Sequence, residues 1–425
     1  MNAFDKVIGY DTIKSELLQI CDMIHNPDIY ANIGASKPKG ILLYGNPGMG
    51  KSLLAKCFLK EANLKTYTLR RNKGGEDFVQ EITDTFRQAM ENAPAVIFMD
   101  DMDKFANEDE KRCDTQEYVA IQAGIDESKE ADVFVLATAN NINKLPDSLI
   151  RSGRFDRKVL LETPTQQDAE KIICHYLHTK KIAEDVNTDD VAKMVSYRSC
   201  AELESILNEA AILSAFARRD SLAMEDIVKA VLRLQYNSPD NFTITPKDEL
   251  KKIALHEAGH LVVSEVLCPG SVGLASIRAK GRGATGGFVH NCKDLRRRPY
   301  HTLVSLGGKA AVELYHAEAV ASGCQRDINM AFNNIREGLA ESAVAGFGMV
   351  DVATHRFPDT SESLNARHEA VTQAELERYF LKAKEILLKN RVFLEKVTAA
   401  LLEKETLLYS DIQAIRDSVT IAQAS

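Results

Sequence analysis

The chain has 425 residues, enough for more than one hydrophobic core, and its 45% hydrophobic and 27% charged side chains are ordinary for a globular protein. Its 53 basic and 61 acidic side chains leave a formal charge of −8, which offers no electrostatic footprint for nucleic acid. No apolar run approaches the roughly 18–20 residues that cross a bilayer, no secretory leader follows Met1, and the eight cysteines show no CxxC spacing. The expectation is a cytoplasmic chain with reduced thiols and no membrane segment. The basic cluster Arg296-Arg297-Arg298 reads as a solvated turn.

In chain order, short apolar runs alternate with helical patterns over the first third, the signature of a parallel sheet covered by helices. Residues 40–44, 95–99 and 132–137 read as buried strands, ending respectively in a glycine-rich loop, in Asp100, and in Thr138-Ala139-Asn140. Those polar ends should line one edge of the sheet, where open α/β folds bind their ligands. Residues 1–164 therefore form an α/β domain, and 165–236 a small helical lid. The turn-rich stretch around 237–247 is a linker, and 248–425 a mainly α-helical domain with a Gly-rich patch at 281–287 that suggests turns or a short irregular sheet.

The first chemical motif is Gly45-Asn46-Pro47-Gly48-Met49-Gly50-Lys51-Ser52, a GxxxxGK[ST] match between a strand and a helix. Its glycines let backbone N–H groups turn inward around phosphates, and the helix N-terminus behind them favours negative charge. Lys51 is assigned to the β- and γ-phosphates of ATP and Ser52 to Mg²⁺. Asp100, a carboxylate at a buried strand end, is read as the acid on the Mg²⁺ side. Asp101 stands where ATPases of this class usually carry a glutamate that positions the attacking water. It is one methylene shorter, and because alignment is the main lever in phosphoryl transfer, turnover should be slow. Arg151, Arg154 and Arg157 lie within seven residues. One of them has a plausible structural ion-pair role; the functional reading makes Arg154 and Arg157 arginine fingers that reach a neighbouring subunit, which implies a ring.

The second motif is His256-Glu257-Ala258-Gly259-His260, an HExxH. The expected helix start has Thr245 as N-cap, Pro246 at the first helical position and Asp248 completing a capping-box-like pattern. Histidines four apart share one helix face, as two zinc ligands require, and Glu257 beside them suits a general base. A catalytic zinc needs a third protein ligand. Asp327 is the best candidate, with His290, His301 and Cys324 left open by spacing.

These residues resemble the FtsH family of AAA+ zinc proteases, over nearly the whole chain. The resemblance is carried by Phe4-Asp5-Lys6-Val7-Ile8-Gly9, Lys37-Pro38-Lys39-Gly40, the phosphate loop, Ser152-Gly153-Arg154-Phe155-Asp156-Arg157, Asn208-Glu209-Ala210-Ala211, HExxH, Leu306-Gly307-Gly308-Lys309-Ala310-Ala311 and Leu402-Glu403-Lys404-Glu405-Thr406-Leu407. It implies an AAA+ ATPase with its lid followed by a zinc peptidase, working as a homo-hexamer that threads protein substrates through a pore and cleaves them. It also implies that Asn140 is the sensor asparagine, that Asp327 is the third ligand, and that Glu313 supports the ligands. Gly287-Phe288-Val289 falls at an edge strand able to pair with substrate.

This sequence departs from the family in several places. The family's transmembrane segments are missing, which implies a shortened or soluble version. The pore segment from Arg70 to Glu76 has no aromatic, leaving Phe78 as a substitute grip, and Cys200 replaces a glycine. With Asp101, these departures keep two alternatives in play: a zinc peptidase whose ATPase ring is mainly structural or regulatory, and a non-proteolytic remodelling protein.

Overall fold

The computed structural model describes residues 2–71, 75–106, 115–238, 246–278, 286–295, 297–316, 324–342 and 362–423. They form two compact units. One comprises Met1–Tyr176 with Tyr197–Ser205, the other Leu177–Ser196 with Ile206–Ser425.

In chain order the first unit contains α1 (Asp11–His25), α2 (Pro27–Ala31), β1 (Gly40–Tyr44), α3 (Lys51–Ala62), β2 (Lys65–Leu69), α4 (Glu76–Glu91), β3 (Ala95–Met99), α5 (Gln116–Glu127), β4 (Val133–Ala139), α6 (Asp147–Ile150), β5 (Arg157–Leu160) and most of α7 (Gln166–His178). The five strands are all parallel, in the order β2-β3-β4-β1-β5. Strands β3 and β4 are buried throughout and β1 nearly so, because helices cover both faces. That is why they read as continuous apolar runs and not as alternating ones. Ile41, Leu43, Phe98, Phe134 and Leu136 pack with α1 and α3 on one face. Leu42, Ile97, Val135 and Ala137 pack with Phe78, Phe86 and Tyr118 of α4 and α5 on the other. Met99 pairs with Ala137 and Tyr44 with Ala139, so the strand ends carrying Gly45, Asp100 and Asn140 come side by side.

One expectation is corrected here and one strand is added. Phe78 is 0% exposed and its ring meets Phe105 edge-on at 5.0 Å, so it belongs to the core and cannot grip a substrate. Strand β5 escaped the sequence reading because three of its four residues are exposed, leaving no apolar run to see.

The second unit contains α8 (Thr188–Met194), most of α9 (Cys200–Phe216), α10 (Met224–Tyr236), α11 (Lys247–Leu267), β6 (Val272–Ser276), β7 (Phe288–Asn291), α12 (Arg298–Tyr315), α13 (Gln325–Ser342), α14 (Glu362–Lys389), α15 (Arg391–Lys404), β8 (Thr406–Leu408) and α16 (Tyr409–Asp417). Its core joins α11, α12, α14 and α15 through Leu261, Val262, Leu306, Leu387, Leu394 and Leu401. A three-stranded antiparallel sheet, β7-β6-β8, lies beside them. Pro246 is the N-cap of α11 and not its first residue, so the helix starts one residue later than expected, at Lys247, with Asp248 in the first turn. Thr245 lies outside the described residues, as does the Gly-rich patch up to residue 285.

Helices α11 and α12 touch backbone to backbone. A Cβ on Gly259 would lie 2.3 Å from the carbonyl oxygen of Gly307, and one on Gly307 would lie 2.7 Å from that of Gly259. Side chains ordinarily hold packed helices about 8–10 Å apart, and this glycine pair removes that spacer beside the HExxH turn. No described helix is long and apolar enough to cross a membrane, and the seven cysteines among the described residues are free.

Candidate functional site

The phosphate loop runs from the end of β1 into α3. Gly45, Gly48 and Gly50 have positive φ, 143°, 81° and 88°, a conformation other residues adopt only with strain, and the loop closes tightly enough to begin α3 at Lys51. Lys51 is buried and folded onto the loop, donating to the carbonyls of Gly45 at 2.7 Å and Asn46 at 2.8 Å. Burial pushes its pKa down, against the pull of Asp101, Asp103 and Asp100.

Asp100 follows β3. One carboxylate oxygen accepts from the Thr138 hydroxyl at 2.9 Å and from Ser52 at 3.4 Å; the other is held by the Arg70 guanidinium. Burial raises the pKa of Asp100, but Arg70 and Thr138 outweigh it and keep the carboxyl below its ordinary range. Asp101 sits in the left-handed region at φ 57°, its N–H donating to Thr138. Its carboxylate accepts from Asn140 Nδ2 at 3.1 Å and pairs with Lys104 at 2.7 Å. Asp103 accepts the backbone N–H groups of Asn140 and Asn141 at 2.9 and 3.2 Å, which fixes the turn that presents the asparagine.

The two arginines assigned together behave differently. Arg154 is 7% exposed and bound within its own unit, to both carboxylate oxygens of Asp126, to Gln122 at 2.8 Å and to the carbonyl of Ser148. In the single chain that guanidinium is bound by its own unit's residues. Arg157 opens β5, is exposed, and none of the described residues bonds its guanidinium.

In the second unit three donor atoms converge. His256 Nε2 lies 3.1 Å from Asp327 Oδ2 and 3.0 Å from His260 Nε2, and His260 Nε2 lies 3.5 Å from the same aspartate oxygen. The two imidazoles come from one face of α11, and the aspartate from the first turn of α13. Two histidines and a carboxylate form the three-ligand donor set of a catalytic zinc site with one position open.

The surroundings fit such an ion as well. A Cβ on Gly308 would lie 2.5 Å from both His256 Cε1 and His260 Nε2, so α12 leaves clear the space the donors face. His260 Nδ1 donates to the carbonyl of Val304 at 2.6 Å, a bond that keeps a proton on Nδ1 and leaves Nε2 as the nitrogen that would meet an ion. Burial lowers the pKa of His260, but Asp327 and Glu257 lift it to about 9. Asp327 is held far below its ordinary value by the two imidazoles despite its burial. Glu257 is 5% exposed; burial pushes its carboxyl up, partly offset by the imidazoles and by the neighbouring backbone N–H of Gly287.

Of the other ligand candidates, His290 stands on β7 against Tyr236, and His301 lies 3.8 Å from Asp294. Cys324 Sγ is 3.8 Å from His256 Nδ1, the ring nitrogen that does not face Asp327. Glu313, expected beside the ligands, is bonded instead by Lys309 and Lys384. Sequence reasoning missed Val304, Gly308 and Arg70. The Gly307-Gly308 pair inside a helical pattern was a readable signal. A backbone carbonyl such as that of Val304 leaves none.

Two family comparisons match this chain. Residues 41–163 match the ATPase family associated with various cellular activities (AAA), and residues 243–415 match peptidase family M41. The chain is 31% identical to the ATP-dependent zinc metalloprotease FtsH of Leptotrichia buccalis over 97% of its own length, but spans only 56% of that protein. It is 31% identical to the protein of the same name from Caldicellulosiruptor bescii over 95% of this chain and 70% of the relative. It is 30% identical to the ATP-dependent zinc metalloprotease FtsH 2 of Bdellovibrio bacteriovorus over 100% of this chain and 74% of the relative.

Proposed function

The chain belongs to the FtsH family of ATP-dependent zinc metalloproteases, and from that premise we propose that it hydrolyses ATP and cleaves protein substrates as a homo-hexamer. The observation that carries this reading is the convergence of His256, His260 and Asp327 with Glu257 beside them. When bound, zinc supplies Lewis acidity to the scissile carbonyl and to water. His256, His260 and Asp327 would hold it. Glu257 then takes a proton from the attacking water and delivers it to the leaving amine, a role suited by a carboxyl raised above its ordinary range.

In the ATPase unit, Lys51 and the loop N–H groups would hold the phosphates. Ser52 and Asp100 would hold Mg²⁺, and Asp101, steadied by Asn140, would orient the attacking water. Arg157, exposed at the start of β5, is the arginine available to a neighbouring subunit. A reducing compartment such as the cytoplasm suits free thiols. Degradation of casein by the purified protein, measured with and without ATP and with a zinc chelator, tests the whole reading. Cleavage that needs both ATP and metal supports it, and cleavage that survives chelation refutes it.

Two observations favour a second reading, a zinc peptidase with a weak or mainly structural ATPase. Asp100 is engaged by Arg70, and Asp101 is one methylene short of the usual glutamate. That version cleaves in a metal-dependent manner but is indifferent to ATP.

A further inference from the structure

Glu257 is one residue from a metal ligand, yet one of the groups that orients it comes from outside its helix. The backbone of Gly287, immediately before β7, lies against it, and its N–H favours the ionised carboxylate. A Cβ at Gly287 would lie 2.6 Å from Glu257 Cγ and 2.3 Å from the carbonyl of Ser276, so this backbone is wedged between the base and β6. Strand β7 has four residues, among the described residues pairs only with β6, and its register slips between Val272 and Leu274. A short edge strand with one neighbour has few ladder bonds and opens easily.

A ring stack reinforces it. Phe288 lies parallel to Tyr236, with centroids 3.8 Å apart and planes 12° from each other. Tyr236 is the last residue of α10, a helix anchored by Ile227, Ala230, Val231 and Leu232 and closed by the left-handed Asn237 at φ 48°. Helix α8 packs against α16 and against β6 of the same sheet. Asp190 accepts the N–H and hydroxyl of Ser410 at 2.8 and 2.7 Å, and the carbonyl of Lys193 lies 2.3 Å from where a Cβ of Gly273 would be. Both helices precede residue 243, where the match to the peptidase family begins.

We infer that Tyr236 is a positioning residue for peptide cleavage, holding Phe288 and so fixing the Gly287 N–H against Glu257. The inference rests on Glu257 being the general base. A displacement of about 1 Å at a catalytic group costs on the order of 100-fold in rate, and loosening a strand without removing it costs less.

The test compares Tyr236→Ala with Tyr236→Phe in the full chain loaded with zinc, using a fluorogenic peptide. Tyr236→Ala should lower kcat by roughly tenfold, keep its zinc stoichiometry, and speed amide hydrogen exchange at residues 288–291. Tyr236→Phe, which keeps the stack, should match the wild type in all three. Wild-type kcat and exchange in Tyr236→Ala overturn the inference, as does loss of zinc along with activity, which would mark a merely structural residue. If Tyr236→Ala does not fold, Tyr236→Leu keeps the apolar bulk, loses the stack and is judged by the same readouts. If the wild type shows no metal-dependent cleavage, the general-base reading has failed on its own. The exchange difference between the Ala and Phe variants still decides whether Tyr236 holds the strand.

Discussion

Lys51 and His260 are both polar side chains taken out of water, but they are held in opposite ways. Lys51 donates to two carbonyls of its own loop, and the neighbouring Asp100 is bound by Arg70, Thr138 and Ser52. Those bonds must be exchanged for bonds to phosphate and Mg²⁺, so the nucleotide site is poised to rearrange. At the second site the donors of His256, His260 and Asp327 face one another across a space that Gly308 leaves clear. The Val304 carbonyl that holds His260 comes from another helix, and the Gly287 backbone beside Glu257 comes from the small sheet. A local loop can be remade by its ligand; a site assembled from packed helices has to be right beforehand.

That contrast can be broken by substitution. Glu257→Gln should reduce proteolysis by about 10²–10⁴-fold with zinc content and ATP turnover unchanged; residual cleavage near wild type, followed with a fluorogenic peptide, would remove Glu257 as the base. Gly308→Ala places a methyl group against both imidazoles and should weaken zinc binding by about 10–100-fold, measured by competition with a chelator, while nucleotide affinity stays as it was. Lys51→Ala should lower ATP affinity at least about tenfold by calorimetry and leave zinc affinity untouched, since its interactions are confined to the loop. Asp101→Glu should raise ATP turnover a few-fold in a phosphate-release assay; a fall would mean that Asn140 and Lys104 are set for the shorter acid.

The smallest effect separates the two arginines. Arg154→Ala should cost about 1–2 kcal/mol of stability in chemical denaturation, because it leaves Gln122 and the Ser148 carbonyl without their partner, and Arg157→Ala should cost almost none. Arg154 holds the Asp126 pKa down, from 3.8 to about 2. The ion pair's contribution is therefore full above the ordinary aspartate value and is lost as pH falls through about 2. The difference between variant and wild type should be the same at neutral pH and in mild acid.

Sequence by itself determined whatever depends on neighbours along the chain. The buried strands β1, β3 and β4, the glycine turn ahead of Lys51, and the shared face of His256 and His260 all follow from local periodicity and backbone stereochemistry. Asp327 was the best of four candidates by spacing, and only the family resemblance singled it out. The remaining features required the tertiary structure. It buried Phe78 of α4 against Phe105, committed Arg154 to Asp126, and turned Glu313 toward Lys384. It also brought a carbonyl from α12 to His260 and an N–H from the edge of a small sheet to Glu257. Such bonds join residues distant in sequence and often use backbone atoms common to every residue type. They are set by how helices and strands pack, and no local pattern of side chains encodes them.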